Sequence, residues 1–190
     1  MLKLATGKAP GPDFIPPKVI RKAVLEIPEV FLVIFNRHLR DGTFPKNWKE
    51  ARIVLLEKPI KNQGDPQTYR PICLLNTHGK LFEIVINERI KKEMEEKRTL
   101  NEHQFGFRRG KSTVDAINIV KELATAELVK GGKKSRRMCI LTILDIKNAF
   151  NFANWEKIIL ALEAKGISSY LIKIIESYLH EREIVWERIL

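Results

Sequence analysis

The chain is poor in the residues and runs that mark several classes of protein. Its 190 residues include only two cysteines and four histidines, too few and too scattered for a zinc pattern. No stretch approaches the ~20 apolar residues of a membrane helix, and the N-terminus lacks the apolar core of a signal peptide. We therefore expect an intracellular protein, in the cytoplasm or nucleus. Cys73 and Cys139, both in apolar runs, are predicted to be buried free thiols.

Acidic residues are also scarce relative to basic ones. The sequence has 34 Lys and Arg against 23 Asp and Glu, a formal charge of +11, while hydrophobic residues make up 44%. The apolar content is that of a folded domain and excludes a disordered tail. The positive excess favours polyanionic partners, with nucleic acid the first expectation and an anionic membrane surface the second.

One carboxylate stands at the end of a strongly apolar run. Residues 139–144 have the pattern of a strand buried on both faces, and Asp145 follows them directly. Such an Asp needs a partner to offset its desolvation, and Mg²⁺ is one such partner. The alternative is an Asp that caps the following turn. Phe150, five residues later, could return to the same pocket, although core packing would explain it equally well.

Cations flank a polar segment between two expected strands. Residues 51–56 and 70–75 have extended patterns, and the polar residues between them predict a mobile loop. Lys58 and Lys61 precede this loop and Arg70 follows it. Together they could fold over a triphosphate, or they could be ordinary surface charges beside a hairpin.

A glycine-containing stretch at residues 104–113 combines basic, aromatic and helix-capping residues. Ser112 followed by Asp115 predicts a helix start, where free backbone N–H groups attract anions. The stretch is not a Walker A loop, because position 105 is not glycine. The alternative is a capped helix with its phenylalanines in the core. A basic loop at 130–137 could likewise contact nucleic acid or be a solvated face. The candidate residues of the stretch at 104–113 are Phe105, Phe107, Arg108, Arg109, Lys111 and Ser112.

Four segments together resemble reverse transcriptases, most closely those of non-LTR (LINE-type) retrotransposons. They are Lys-Ala-Pro-Gly-Pro-Asp at 8–13, Tyr-Arg-Pro-Ile-Cys-Leu-Leu at 69–75, Gln-Phe-Gly-Phe-Arg-Arg-Gly-Lys-Ser-Thr at 104–113 and Leu-Asp-Ile-Lys-Asn-Ala-Phe-Asn at 144–151. The resemblance covers nearly the whole chain. It implies an α/β (α+β) fold, part of a right-hand polymerase, with helices on a small, mostly antiparallel sheet. Residues 1–136 would be fingers-like and 137–190 the start of the palm.

The resemblance also implies roles, partners and a cofactor. Asp145 would be the first catalytic aspartate and, with the carbonyl of Ile146, a ligand of Mg²⁺. Phe150 would be the gate that rejects a 2′-hydroxyl. Arg70, with Lys58 or Lys61, would hold the triphosphate, and residues 105–112 would lie against the template. The implied partners are an RNA template, a DNA primer and dNTPs, with no membrane.

The sequence departs from the family pattern at three places. Phe14 stands where the family usually has glycine, which would strain the turn if its φ is positive, and Phe152 replaces a small residue. The chain also ends before the Pro-Gln-Gly and Asp-Asp boxes, and it contains no Asp-Asp pair. We therefore expect weak metal binding, no polymerisation by this chain alone and marginal stability. The alternatives to an enzyme fragment are a non-catalytic module that binds RNA or an RNA–DNA hybrid, and a decayed remnant.

Overall fold

The computed structural model describes residues 5, 7–57, 68–130, 139–146, 149–150 and 152–185, except the side chains of 127–130. These residues fall into two compact units. The first unit comprises residues 1–93 and 154–190, and the second comprises residues 94–153. None of the described helices is both long and apolar enough to cross a membrane. In chain order the elements are α1 (Pro17–Glu26), α2 (Pro28–Asp41), a 3₁₀ turn (Lys46–Trp48), β1 (Ala51–Glu57), β2 (Tyr69–Leu75), α3 (Thr77–Glu96), α4 (Thr113–Lys130), α5 (Trp155–Ala164), α6 (Ser169–Leu179) and β3 (Ile184–Val185).

Proline and glycine set the limits of the first two helices. Pro17 and Pro28 occupy the first helical positions, where the missing N–H costs nothing and the fixed φ suits the helix. α2 ends at Gly42, whose φ of 66° is left-handed. A Cβ at that position would lie 3.0 Å from the Cβ of Lys173. Glycine at position 42 therefore ends α2 and also allows α6 to approach.

The three strands form one mixed sheet in the order β2-β1-β3. β1 and β2 are antiparallel along their full length, with Ala51 opposite Leu75 at one end and Glu57 opposite Tyr69 at the other. β3 adds only two residues, parallel to β1. The predicted α/β class is confirmed, and most of the strand pairing is antiparallel.

An aromatic cluster on α2, the 3₁₀ turn and α3 forms much of the core of the first unit. Phe82 of α3 is completely buried. The ring centroid of Trp48 lies 5.8 Å from those of both Phe35 and Phe82. Gly79 permits this approach, because a Cβ there would lie 2.6 Å from the carbonyl oxygen of Trp48.

Three polar contacts join α3 to α6. Tyr178 donates a hydrogen bond to Glu83, and Arg89 donates to the Tyr170 hydroxyl at 3.1 Å. The backbone N–H and the hydroxyl of Ser168 donate to the two carboxylate oxygens of Glu93, at 2.8 and 2.7 Å. Because residue numbers rise along α3 while they fall along α6, the two helices are antiparallel.

The Glu83–Tyr178 pair is largely buried, and its ionisation is shifted accordingly. Burial raises the pKa of Glu83, and the hydrogen bond from Tyr178 and the charge of Arg182 oppose this shift only in part. Burial and the neighbouring Glu83 carboxylate raise the pKa of Tyr178 to about 12. The guanidinium of Arg182 lies 4.5 Å from the centroid of the Tyr178 ring. Tyr178 therefore stays protonated and remains a hydrogen-bond donor well above neutral pH.

A buried lysine caps the end of α6. Lys49 is only 4% exposed, and its Nζ donates to the carbonyl oxygens of Ser177 and His180, each at 2.9 Å. The last carbonyls of a helix lack partners within the helix and carry partial negative charge, so a cation is favourable there. The Phe44 N–H also donates to the Ser177 hydroxyl at 2.9 Å. These bonds fix the segment before β1 to the C-terminus of α6.

Two predictions about the apolar runs are wrong. Residues 139–146 form no strand, and Leu144 and Ile140 are 89% and 83% exposed. A strand buried on both faces needs paired neighbours, and the sheet of the described residues includes none next to this segment. Cys73 and Cys139 are both exposed, not buried. Cys73 lies on a short sheet with an accessible face, and Cys139 begins the unpaired segment.

Candidate active site and nucleic-acid interface

Arg70 lies on the β1–β2 hairpin, near the end at which β1 finishes and β2 begins. It is the second residue of β2, opposite Leu56, and it is exposed. The antiparallel ladder holds the backbone of Arg70 in register, because every residue of β2 has a partner on β1. An exposed guanidinium at this position can meet a phosphate group. Lys58 and Lys61 lie outside the described residues.

Asp145 lies in the unpaired segment 139–146 and is exposed, as is Ile146 at 74%. Among the residues that the structure describes, no three His, Cys, Asp or Glu side chains come together as a metal site. A magnesium pair needs several oxygen ligands, normally including more than one carboxylate. The described donor set of this chain therefore does not fit a two-metal centre.

The phenylalanines after Asp145 are also exposed. Phe150 is 87% exposed and lies in a turn, and Phe152 is 78% exposed. Neither ring is buried in a core, so packing within the described residues does not account for Phe150. Its part in a nucleotide pocket stays a prediction.

The segment 105–112 contains two phenylalanine rings, of which one is exposed to solvent and the other is half-buried. Phe107 is 93% exposed and has a φ of 58°, which turns the chain sharply at a residue with a large side chain. Phe105 is half-buried, and the ammonium of Lys111 lies 5.0 Å from its ring centroid. Arg108 donates to the backbone carbonyl of Asn101 at 2.9 Å, which fixes the loop internally. Phe107 is therefore the ring that is free to stack on a base.

The predicted helix cap at Ser112 is confirmed. The Ser112 N–H and hydroxyl donate to one carboxylate oxygen of Asp115 at 2.8 and 2.7 Å, and the Asp115 N–H donates back to the hydroxyl at 3.2 Å. The hydrogen bonds from Ser112 lower the pKa of Asp115. The N-terminus of α4 thus already has a carboxylate of its own, which reduces its capacity to attract a phosphate. The Asp115 carboxylate therefore weakens the predicted attraction of anions to the N-terminus of α4.

The turn at residues 11–15 contains the strain anticipated for Phe14. The φ of Phe14 is 53°, a left-handed conformation that costs a residue with a side chain roughly 1–2 kcal/mol. The Arg52 guanidinium lies 5.1 Å from the centroid of the Phe14 ring. This cation–π contact offsets part of the cost.

Several residues that shape the hairpin carry no local sequence signal. Asn76 and Thr77 bind backbone atoms of Asp13 and Ile15, 62 or 63 positions away, and Lys49 binds carbonyls more than 120 positions away. Short-range patterns report periodicity and turns and do not report such long-range pairs. The glycine-proline composition of residues 7–17 is the single local signal for an irregular, closely packed segment there.

A protein-family model described as reverse transcriptase (RNA-dependent DNA polymerase) matches residues 59–189. The chain belongs to the reverse transcriptase family. The match includes both Arg70 and the Asp145 box. Polymerases of this family generally use Mg²⁺.

Curated relatives place the chain near the polymerases of non-LTR retrotransposons. It is 31% identical over 183 residues to a probable RNA-directed DNA polymerase from transposon BS and 36% identical over 156 residues to that from transposon X-element, both of Drosophila melanogaster. It is 34% identical over 181 residues to the RNA-directed DNA polymerase from mobile element jockey of Drosophila funebris. The matches cover 96%, 80% and 95% of this chain and 19%, 16% and 19% of those proteins. The chain thus spans about a fifth of the length of these relatives.

Proposed function

We propose that this chain supplies the fingers, residues 1–136, and the start of the palm, residues 137–190, of an RNA-directed DNA polymerase of a non-LTR retrotransposon. The observation that carries the proposal is the family match over residues 59–189, which contains the proposed nucleotide-binding arginine and the proposed catalytic aspartate. In this account Asp145 and the carbonyl of Ile146 supply only part of the metal donor set. Phe150 is the gate beside the deoxyribose.

Arg70 is the proposed contact for the triphosphate of the incoming nucleotide. Its support is an exposed guanidinium on a fully paired hairpin, a geometry that suits paired hydrogen bonds to phosphate oxygens. Lys58 and Lys61 are proposed to assist it. Replacing Arg70 with Gln should weaken binding of a fluorescent dATP analogue about tenfold, as expected for one lost charge-assisted hydrogen bond. Arg40→Gln, which alters an exposed arginine on α2, is the matched control.

The segment 105–112 is the proposed template contact. Exposed Phe107 can stack on a base, and Arg109 and Lys111 can meet phosphates. Arg108 is committed to Asn101 through one of its nitrogens, so we propose that it acts through its remaining N–H groups. Ser112 was predicted to touch the template, but its hydroxyl is used in the helix cap, so its proposed contribution is the shape of the segment.

Salt-dependent RNA binding tests this contact. Phosphate contacts make log K fall with log salt by about 0.7 per contact for a single strand. Replacing Arg108, Arg109 and Lys111 together with Gln should reduce that slope by about 2. A control with the same charge change on α1 (Lys18, Arg21 and Lys22 to Gln), all three exposed, should leave the slope nearly unchanged. Equal slopes in the two triple variants would contradict the proposed contact.

A second candidate is a non-catalytic module that binds RNA or an RNA–DNA hybrid. It is favoured by the partial donor set around Asp145 within the described residues combined with the exposed cationic and aromatic segment. Primer extension on an RNA template with Mg²⁺ and dNTPs separates the two. We expect no templated product from this chain alone, and a product abolished by Asp145→Asn would instead show that the chain is a complete catalyst.

A further inference from the structure

Residues 9–15, which we call the strap, are bound through their backbone to the junction between β2 and α3. The Asp13 N–H donates to Asn76 Oδ1 at 3.0 Å, and the hydroxyl of Thr77 donates to the Ile15 carbonyl at 3.0 Å. Lys80 donates to the Ala9 carbonyl at 3.3 Å. Three side chains, one from the residue between β2 and α3 and two from the first turn of α3, therefore hold three points along the strap.

The strap approaches this junction closely at Gly11. A Cβ at that position would lie 2.4 Å from the Asn76 nitrogen and 2.5 Å from the carbonyl carbon of Leu75. These neighbours are backbone atoms, so a side chain at position 11 would displace the strap. Glycine there lets the strap lie directly on the last residue of β2.

The same junction is the base of the β1–β2 hairpin. Leu75 pairs with Ala51, the first residue of β1, and the next residue of β1, Arg52, stacks on the Phe14 ring at 5.1 Å. The strap therefore contacts both strands where the hairpin begins. The opposite end of the hairpin carries Arg70.

Asn76 links a third segment to this base. The residue is 7% exposed; Oδ1 accepts from the strap, and Nδ2 donates to the Asn47 carbonyl in the 3₁₀ turn at 2.7 Å. Both ends of the amide are thus used, each by a different chain segment. Replacing it with an apolar residue would remove one acceptor and one donor from two part-buried hydrogen bonds.

We infer that Asn76 and the strap are positioning elements, which fix the direction of the hairpin and thereby the position of Arg70 relative to the nucleotide. The inference rests on the proposed nucleotide contact of Arg70. Arg70 is five residues from Leu75, a span of about 17 Å along a strand, so a rotation of roughly 5° at the base moves it by roughly 1.5 Å. Displacements of about 1 Å at a reacting or binding group are costly.

Double electron–electron resonance, which measures the distance between two spin labels, tests the positioning of the hairpin directly. With Cys73 and Cys139 replaced by Ser, labels at Glu57→Cys near the hairpin tip and Asn87→Cys on exposed α3 should give one narrow distance distribution. Asn76→Ala should broaden this distribution or shift it by roughly 2 Å, the displacement expected at the end of the strand for the small rotation described above. Ser168→Ala also removes a part-buried hydrogen bond to α3, the one from the Ser168 hydroxyl to Glu93, but leaves the strap intact, so it should retain the narrow distribution. An unchanged distribution in Asn76→Ala would overturn the inference.

A second pair of variants covers the case in which Asn76→Ala fails to fold. Thr77→Val keeps the shape of the side chain but removes its bond to the strap, and Thr77→Ser keeps the hydroxyl. We expect the valine variant to broaden the distance distribution and the serine variant to behave like the parent. Equal behaviour of the two would show that the strap bond does not set the hairpin.

Binding of N-methylanthraniloyl-dATP separates this inference from the proposed function. If both hold, Arg70→Gln weakens binding about tenfold and Asn76→Ala weakens it several-fold. An Arg70→Gln variant that binds like the parent overturns the proposed contact, and the spin-label distances then decide the positioning of the hairpin alone. A weakened Arg70→Gln variant beside an unaltered Asn76→Ala variant overturns the positioning inference and leaves the proposed contact supported.

Discussion

The two units of this chain differ in how their apolar side chains are used. Every fully buried hydrophobic side chain among the described residues, including Phe82, Leu171 and Ile174, belongs to the first unit. In the second unit Ile117, Leu144 and Phe107 are 65%, 89% and 93% exposed. Asp145, the proposed catalytic aspartate, therefore belongs to the second unit, in which few of the described apolar side chains are buried. Arg70, the proposed triphosphate contact, belongs to the first unit, which contains the buried core.

The side-chain hydrogen bonds of the two units differ in the same way. In the first unit they join distant segments: Lys49, before β1, binds the C-terminal end of α6, and Ser168 binds Glu93 of α3. In the described part of the second unit they are local, such as the Ser112–Asp115 cap and the Arg108–Asn101 contact. Long-range bonds close large loops and make unfolding cooperative, whereas local bonds can break one at a time.

The largest expected contrast compares one phenylalanine from each unit. Phe82→Ala removes a completely buried ring and should lower the free energy of unfolding by about 4 kcal/mol. Phe107→Ala removes a ring that is 93% exposed and should change it by less than about 0.5 kcal/mol. Denaturant unfolding of both variants measures the difference. Similar losses in the two would show that the second unit is packed as well as the first.

The next contrast lies within the first unit, between two lysines of the segment before β1. Lys49→Met removes the charged donor from two carbonyls at the end of α6 and should cost about 3 kcal/mol, because two charge-assisted hydrogen bonds are lost. Lys46 is exposed and pairs with Glu183 at 3.0 Å, so Lys46→Met should cost much less, because an exposed ion pair contributes little to stability. Thermal melts check the order, and a smaller effect at Lys49 than at Lys46 would be evidence against the cap.

The buried tyrosine predicts a loss of stability at alkaline pH. The pKa of Tyr178 is about 12, above the ordinary value of 10.0, so between these values the unfolded chain loses a proton that the folded chain keeps. Stability conferred by this group is therefore complete below pH 10 and decreases as the pH rises to 12, by about 2 kcal/mol. Tyr178→Phe should flatten this decline, and Tyr170→Phe should not. Parallel curves for the parent and Tyr178→Phe would contradict the predicted coupling.

The smallest predicted effect is at the strained turn of the strap. Phe14→Gly and Phe14→Ala both lose the contact with Arg52, but only glycine adopts the φ of 53° without strain. The glycine variant should be more stable than the alanine variant by about 1 kcal/mol. Chemical denaturation of the pair measures this difference, and the opposite order would mean that the turn relaxes when the ring is removed.

The sequence predicted the elements whose causes are local. The extended patterns of residues 51–56 and 70–75 and the Ser112–Asp115 cap each arise within a few residues, so pattern reasoning located them. The α/β class followed from the resemblance and is confirmed. The strain at Phe14 was likewise expected from the resemblance, because the family usually has glycine at this position, and the φ of 53° agrees with it.

Prediction from the sequence failed where the structure depends on partners that are distant along the chain. The run at 139–144 has the composition of a buried strand, yet its strand character depends on neighbours that the sheet of the described residues does not provide. Burial of Cys73 and Cys139 was inferred from the same kind of composition and is also wrong. Cys139 begins the unpaired segment, whereas Cys73 lies on a paired strand whose face is accessible. Asn76, Thr77 and Lys49 were missed because nothing within a few residues indicates what they bind.

Hydrogen exchange tests the central claim most directly, namely that the aspartate segment of this chain is unpaired while the hairpin and α6 form its stable part. We predict that the amides of residues 139–146 exchange at nearly the rate of an unfolded peptide, and that those of β1, β2 and α6 are protected by the free energy of global unfolding. Protection of residues 139–146 equal to that of β1 would show that they form a paired strand, and would contradict this account.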